Sequence, residues 1–201
     1  GADITEHKAS EERIHHLAHH DVLTDLPNRS LCLERLRMAV EQAGRTGQHV
    51  GVVFIDLDRF KNINDSMGHH VGDALLRSVS RRLIQAVRAG DTVSRLGGDE
   101  FQIILQDVDD RGALGELAER IIKSLSHPYM VDGSRCIIGA SVGVAVSPFD
   151  GQSSEDLIRN ADLALYAAKG GGRGRFRFYS SDLLQAAEDR RILEEDLRDA
   201  L

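Results

Sequence analysis

Four residues at one bend carry the densest chemistry in the chain. Gly97, Gly98, Asp99 and Glu100 stand between two runs of strand-forming residues, 91–96 and 101–105. A hairpin bending at Gly97-Gly98 tolerates positive φ and lets a ligand approach its backbone closely. Asp99 and Glu100, just past the bend, project acceptor-only oxygens at its rim. Such oxygens suit a hard cation and, through it, a phosphate. Alone, the stretch reads equally well as an ordinary solvated hairpin, so the decision rests on its partners.

A second cluster supplies them. Residues 50–55 form a continuous apolar run of strand length, the pattern of a strand buried on both faces. The run exits into Asp56-Leu57-Asp58-Arg59-Phe60-Lys61-Asn62-Ile63-Asn64-Asp65, which crowds three carboxylates, a lysine and two amides at one strand end. Crowding of that kind is costly unless something binds it. If strand exit and hairpin bend converge, Asp56 joins Asp99 and Glu100 in a carboxylate cation site. Magnesium is the natural occupant, because it takes carboxylate oxygens and keeps positions for water or substrate phosphates. A pair of such ions suits attack of a hydroxyl on an α-phosphate.

The elements that must position these groups follow from periodicity. Residues 3–20 have sparse apolar positions at helical spacing and predict a polar connecting helix. Within it His15/His19 and His16/His20 fall at i, i+4, a metal-binding spacing, but the sequence fixes no cysteine or acidic third ligand, which favours a solvated helix face. Turn chemistry at Asp25 to Asn28 precedes a helix expected over 30–43. Val71, Leu75, Val79, Leu83 and Val87 predict a helix with Asp73 in its first turn, closed by Gly90. After the hairpin come a helix through Leu114 and Leu125 that His127-Pro128 ends, a long buried strand over 136–146, and a helix from Ser153 to Lys169 released by Gly170-Gly171-Gly172. Residues 176–179 alternate like a last strand, and 181–201 read as a charged, loosely periodic helix.

Composition narrows the function. Lys+Arg 25 against Asp+Glu 32 leaves a formal charge of −7 with no basic block, which argues against a duplex nucleic-acid binder. Small phosphorylated ligands need only a few local cations. Cys32 and Cys136 lie far apart without metal-type spacing, so a cytosolic protein without a disulfide framework is expected. No stretch is long and apolar enough to cross a bilayer, and no membrane contact is expected. The start at Gly1-Ala2 and the end inside a helical pattern suggest a piece of a longer protein.

Gly97-Gly98-Asp99-Glu100-Phe101 matches, letter for letter, the signature of the GGDEF family of diguanylate cyclases. Residues 54–65, Gly68-His69, Gly72-Asp73, residues 21–29 and Tyr166 to Arg173 resemble the family's other blocks at matching spacing, and the resemblance covers residues 18–180. It implies an α/β (α+β) fold like the adenylyl-cyclase and polymerase palm, a central, mainly antiparallel five-stranded sheet flanked by helices. It also implies condensation of two GTP into cyclic di-GMP with release of two pyrophosphates, using Mg2+ or Mn2+ and a second GGDEF domain facing the first.

Carried over by position, Asp56, the Leu57 carbonyl and Asp99 resemble the metal ligands, with Glu100 a second acidic partner. Asp99 also stands where a proton is taken from the 3′-hydroxyl. Lys61, Lys169 and Arg173 match cations that neutralise the triphosphate, where charge builds in phosphoryl transfer. Phe60, Gly97 and Gly98 match substrate-lining positions, and Asn64 and Asp73 match the guanine readers. An aspartate accepts from guanine N1–H and the exocyclic amine, which adenine does not offer together. Arg88 and Asp91, with Arg120, resemble the RxxD site that binds the product and inhibits. Two departures stand out: Asp25 replaces a commoner glycine, and Gly174 stands where asparagine is frequent.

On the same resemblance, residues 1–20 are a linker helix after a PAS-type sensory domain, 21–180 the GGDEF domain, and 181–201 a helix leading toward an EAL phosphodiesterase domain. The alternative function is a GTP-binding regulatory module, without turnover, for that neighbouring hydrolase. A purely structural module is disfavoured by the polar groups gathered at one strand exit.

Overall fold

The computed structural model describes residues 2–200. Its elements, in order, are α1 (Ala2–His19), α2 (Arg29–Thr46), β1 (Val50–Asp58), α3 (Phe60–Met67), α4 (His69–Ala86), β2 (Thr92–Gly97), β3 (Glu100–Leu105), α5 (Arg111–Ser126), β4 (Tyr129–Val131), β5 (Ser134–Cys136), β6 (Gly139–Ser147), α6 (Ser154–Gly170), β7 (Phe176–Phe178) and α7 (Ser181–Ala200). Five strands form one sheet in the order β2-β3-β1-β6-β7, and β4-β5 make a separate small hairpin.

The sheet is mainly antiparallel, as the family resemblance implies. β1 pairs antiparallel with β3 and β6, and β2 pairs antiparallel with β3. Only β7 runs parallel to its neighbour, β6, because α6 carries the chain back over the sheet before the strand forms. β1 and β6 are buried along their whole lengths, which is what a central strand covered on both faces requires. Alternation then divides β1 between two cores. Val53, Ile55 and Leu57 pack with Leu75, Val79 and Leu83 of α4 and Leu114 and Ile121 of α5. Val52 and Phe54 face Leu36 of α2 and Leu157, Ala161 and Leu165 of α6. Helices thus cover both faces.

Caps set several boundaries. Asn28 accepts from Leu31 N at 3.1 Å and starts α2, Asp110 accepts from Ala113 N at 2.7 Å and starts α5, and Ser153 accepts from Asp156 N at 3.1 Å and starts α6. Arg82 of α4 reaches the far end of α5, donating to the carbonyls of Ser124, His127 and Pro128.

Sequence periodicity misplaced several boundaries. The helix expected over 30–43 runs from Arg29 to Thr46. The helix expected from Val71 begins at His69, so Asp73 lies in its second turn and is not an N-terminal dipole charge; it ends at Ala86, four residues short of Gly90. The strand expected over 136–146 is broken: Cys136 closes the small hairpin and the central strand starts only at Gly139. Helix α3 and the β4-β5 hairpin were not foreseen, being too short for periodicity to register. α1 and α7 bury no residue; Gly1 and Leu201 lie outside the described residues.

Candidate active site

Register brings the two acidic stretches together. Asp56 near the end of β1 lies opposite Glu100 at the start of β3, and Leu57 N donates to the Asp99 carbonyl at 3.2 Å. Asp99 therefore sits beside the strand exit, at the turn that enters β3. Gly97 (φ 146°) and Gly98 (φ 49°) both take backbone conformations that favour glycine. A β-bulge between Arg95 and Gly97 completes the bend.

The electrostatics of the pair are unusual. Burial, then the neighbouring Asp56 charge, push the Asp99 carboxyl up to about 6, with Glu100 adding to the effect. Two carboxylates this close do not both ionise cheaply, and a cation between them removes the penalty. Glu100 itself is exposed and stands 3.9 Å from Arg29. Among the described residues no group of three His, Cys, Asp or Glu side chains forms a ready-made metal site. Two carboxylates and the Leu57 carbonyl nevertheless fit magnesium, which uses few protein ligands and fills the rest with water and phosphate.

Two of the three cations foreseen in the sequence reach the carboxylates of the strand exit. Lys169 Nζ contacts Asp56 Oδ2 directly, and Arg173 Nη1 lies 3.6 Å from Asp58. To meet a triphosphate, each would exchange a carboxylate for a phosphate. Lys61 is exposed on the first turn of α3. Phe60 is placed differently from its neighbours: at 6% exposure the residue belongs to the core. Asn64 is half-buried and Asp73 exposed, on the packed helices α3 and α4. Gly72 makes that packing possible, because a Cβ there would sit 1.8 Å from Asn64 Oδ1.

Arg88, Asp91 and Arg120 line one pocket of about 370 Å³ with Val87, Leu105 and Leu117. Asp91 accepts from Arg88 N and Gln106 N, each at 3.1 Å. The contact between Arg88 and Asp91 thus runs through the backbone, not through the guanidinium.

Three further residues matter that motif reading did not single out. Asp58, buried, accepts from Ser141 Oγ at 2.8 Å and from Gly174 N at 3.0 Å, tying the glycine-rich segment to β1. Arg95 donates twice to the Gly98 carbonyl, at 3.0 and 2.8 Å, and once to Asp21 Oδ1 at 2.9 Å. Arg95 and Asp21 together hold the bend from behind. Their types and spacing alone gave no sign of this, since all but the Arg95–Gly98 contacts close long loops; only the strand alternation placing Asp58 beside Asp56 was readable.

The family model described as "Diguanylate cyclase, GGDEF domain" matches residues 18–175. The chain is 44% identical over 194 residues to the bifunctional diguanylate cyclase/cyclic di-GMP phosphodiesterase MucR of Pseudomonas aeruginosa, covering 96% of this chain and 28% of that protein. It is 39% identical over 201 residues to the cyclic di-GMP phosphodiesterase PdeR of Escherichia coli, covering 100% of this chain and 30% of that one. It therefore spans under a third of either relative's length. Among solved structures, the GGDEF domain of TpbB from Pseudomonas aeruginosa matches with a TM-score of 0.82 and 36% identity, over 85% of this chain and 99% of that one. The coiled coil and GGDEF domain of DgcB from Caulobacter crescentus, in complex with c-di-GMP, matches with a TM-score of 0.79 and 27% identity, over 88% and 94%.

Proposed function

Since this chain belongs to the GGDEF-domain family of diguanylate cyclases, we propose that it condenses two GTP into cyclic di-GMP with release of two pyrophosphates. The observation that carries the reading is the Asp56–Asp99 pair beneath the Gly97-Gly98 bend, with the proton affinity of Asp99 raised toward neutrality. Two carboxylates that do not both ionise cheaply make a site that a divalent cation would complete. Each 3′-hydroxyl attacks the α-phosphorus of the other GTP, each bond to pyrophosphate breaks, and Asp99 accepts the hydroxyl proton. Asp56, Asp99 and the Leu57 carbonyl would hold Mg2+ or Mn2+, which would supply charge neutralisation at the α-phosphate. Lys61, Lys169 and Arg173 balance the remaining triphosphate charge, while Asn64 and Asp73 read guanine.

One domain binds one GTP, so a second GGDEF domain must present the other. Cyclic di-GMP also binds at Arg88, Asp91 and Arg120 and inhibits; the pocket these residues share supports that role. An arginine fork takes guanine O6 and N7. Residues 1–20 and 181–201 act as connectors to a sensory and a phosphodiesterase domain, a reading supported by the greater length of the relatives.

The second reading, a GTP-binding module that regulates an attached phosphodiesterase, is favoured by the similarity to a protein named for that activity alone. Incubating the chain with GTP and Mg2+ and separating the nucleotides decides between them. Cyclic di-GMP that disappears in Asp99→Asn supports turnover; GTP retained unchanged by a protein that binds it supports the regulatory module.

A further inference from the structure

Asp58 holds a buried negative charge that the cyclase chemistry proposed above does not use. It follows Asp56 on the same face of β1 and is 5% exposed. Two remote segments answer it. Ser141 of β6 donates its hydroxyl to Oδ1 at 2.8 Å, and Gly174, in the turn after α6, donates its backbone N–H to Oδ2 at 3.0 Å. An amide oxygen would accept such bonds without the cost of burying a charge. A charge is what an arginine answers, and Arg173 Nη1 lies 3.6 Å from Oδ1 on a side chain that is 58% exposed.

The turn that carries Arg173 is under strain. Gly172, Arg173 and Gly174 take φ 119°, 64° and 59° in succession. The glycines adopt such values freely, whereas Arg173 is held there at a cost in free energy. Behind it, Gly171 N donates to the Ala167 carbonyl at 2.9 Å and Arg173 N to the Ala168 carbonyl at 3.1 Å, which closes the end of α6. Ahead of it, the Arg175 carbonyl accepts from Val142 N at 2.9 Å. Between these anchors the Gly174–Asp58 bond ties the middle of the turn to β1. Two successive carboxylates on one strand face thus meet two cations at the end of α6, Asp56 with Lys169 and Asp58 with Arg173.

On the reading that the rim binds GTP, we propose that Asp58 is a positioning residue that fixes the 172–174 turn and delivers Arg173 to the triphosphate already ordered. An ion pair at 3.6 Å on a largely exposed guanidinium resists release only weakly. The guanidinium therefore leaves Asp58 for a phosphate while the Gly174 bond keeps the backbone beneath it in place. An arginine whose backbone is set in advance loses less freedom when it binds.

The test is a double-mutant cycle on Asp58 and Arg173. Its probe is 3′-deoxy-GTP with Mg2+, which lacks the attacking hydroxyl and reports binding without turnover, titrated by calorimetry. Arg173→Ala and Asp58→Ala should each lower the affinity at least about tenfold, and the double variant should be no weaker than Arg173→Ala alone. Asp58→Asn removes the charge and still offers Gly174 N an oxygen; it should lose about threefold, again only where Arg173 is present, and it carries the test if Asp58→Ala does not fold. A merely structural Asp58 would lower the melting temperature and add its loss of affinity to that of Arg173→Ala. Unchanged affinity in whichever Asp58 variant folds, or a loss that persists in full without Arg173, would overturn the proposal. A parent that binds the probe and shows the coupling yet makes no cyclic di-GMP from GTP keeps Asp58 in this role and loses the proposed turnover; a parent that does not bind the probe overturns both.

Discussion

Asp99 concentrates the energetics of the site in one side chain. Its carboxyl is raised from 3.8 to about 6, first by burial and then by Asp56. Between those values the folded chain holds this proton more firmly than the unfolded chain. Its stabilising contribution is therefore complete below about 3.8 and is lost as pH rises through 6. At neutral pH without metal, Asp99→Asn should stabilise the fold by about 1 kcal/mol after solvent screening, read as a higher melting temperature. The same variant should make no cyclic di-GMP; undiminished synthesis would remove Asp99 from the mechanism. Because metal and proton compete for Asp99, calorimetric Mg2+ affinity should rise with pH through about 6 and flatten above it. Asp73→Ala should weaken GTP binding by about 1–3 kcal/mol through an unpaired base edge. Equal affinity of the parent for GTP and ATP would remove the premise. Asp56, Asp99 and Glu100 were legible in the sequence because charge at the end of an apolar run is conspicuous. Asp58 was counted but given no role, since its partner Gly174 stands 116 residues away.

Elements convert those residues into a site, and the β2-β3 bend is the element under most constraint. Arg95 links the Gly98 carbonyl to Asp21, and both charged side chains are largely buried, at 13% and 17% exposure. Arg95→Ala leaves a buried carboxylate and an unanswered carbonyl, at a cost of about 1–3 kcal/mol. It should also lower kcat, since a bend displaced by an ångström misplaces Asp99. A melting temperature that falls while kcat stays unchanged would reduce Arg95 to a structural role. Long elements were readable in advance because β1, α4, α5 and α6 repeat their apolar positions many times. The break between Cys136 and Gly139 was not, because Ile137 and Ile138 continue the apolar run while belonging to neither strand. Burial separates the two: Ile137 is 48% exposed and Ile138 is 0% exposed.

At the scale of the whole molecule, catalytic rim and candidate product pocket lie at opposite ends of the same strand pair. Glu100 opens β3 and Leu105, which lines the pocket, closes it, about 17 Å away at strand rise. If cyclic di-GMP binds at Arg88, the distance keeps it from substrate in the same chain, and inhibition would have to act through the strands or by tying two chains together. Arg88→Ala should abolish cyclic di-GMP binding measured by calorimetry and spare turnover; equal binding by parent and variant would place the product elsewhere. If two chains must each contribute a GTP, the rate per chain should climb with protein concentration, and a strictly proportional total rate would count against it.

The lone parallel strand has a consequence for what the chain tolerates. β6 starts beside Asp58 and runs away from it; α6 returns, and β7 sets off again from the same end. Lys169 and Arg173 thus arrive at the same end of the sheet as Asp56 and Asp58 by topology, and the short segment between them sets where each one lands. The sheet consequently gathers the candidate catalytic groups at one end, while Gly47 precedes the other end, where Leu105 and the pocket at Arg88 lie. Gly47 and Gly171 are both exposed, yet a short glycine-serine insertion after Gly47 should leave synthesis intact, whereas one after Gly171 should abolish it with the melting curve preserved. Grafted sensors, tags or regulatory loops belong at the Gly47 edge.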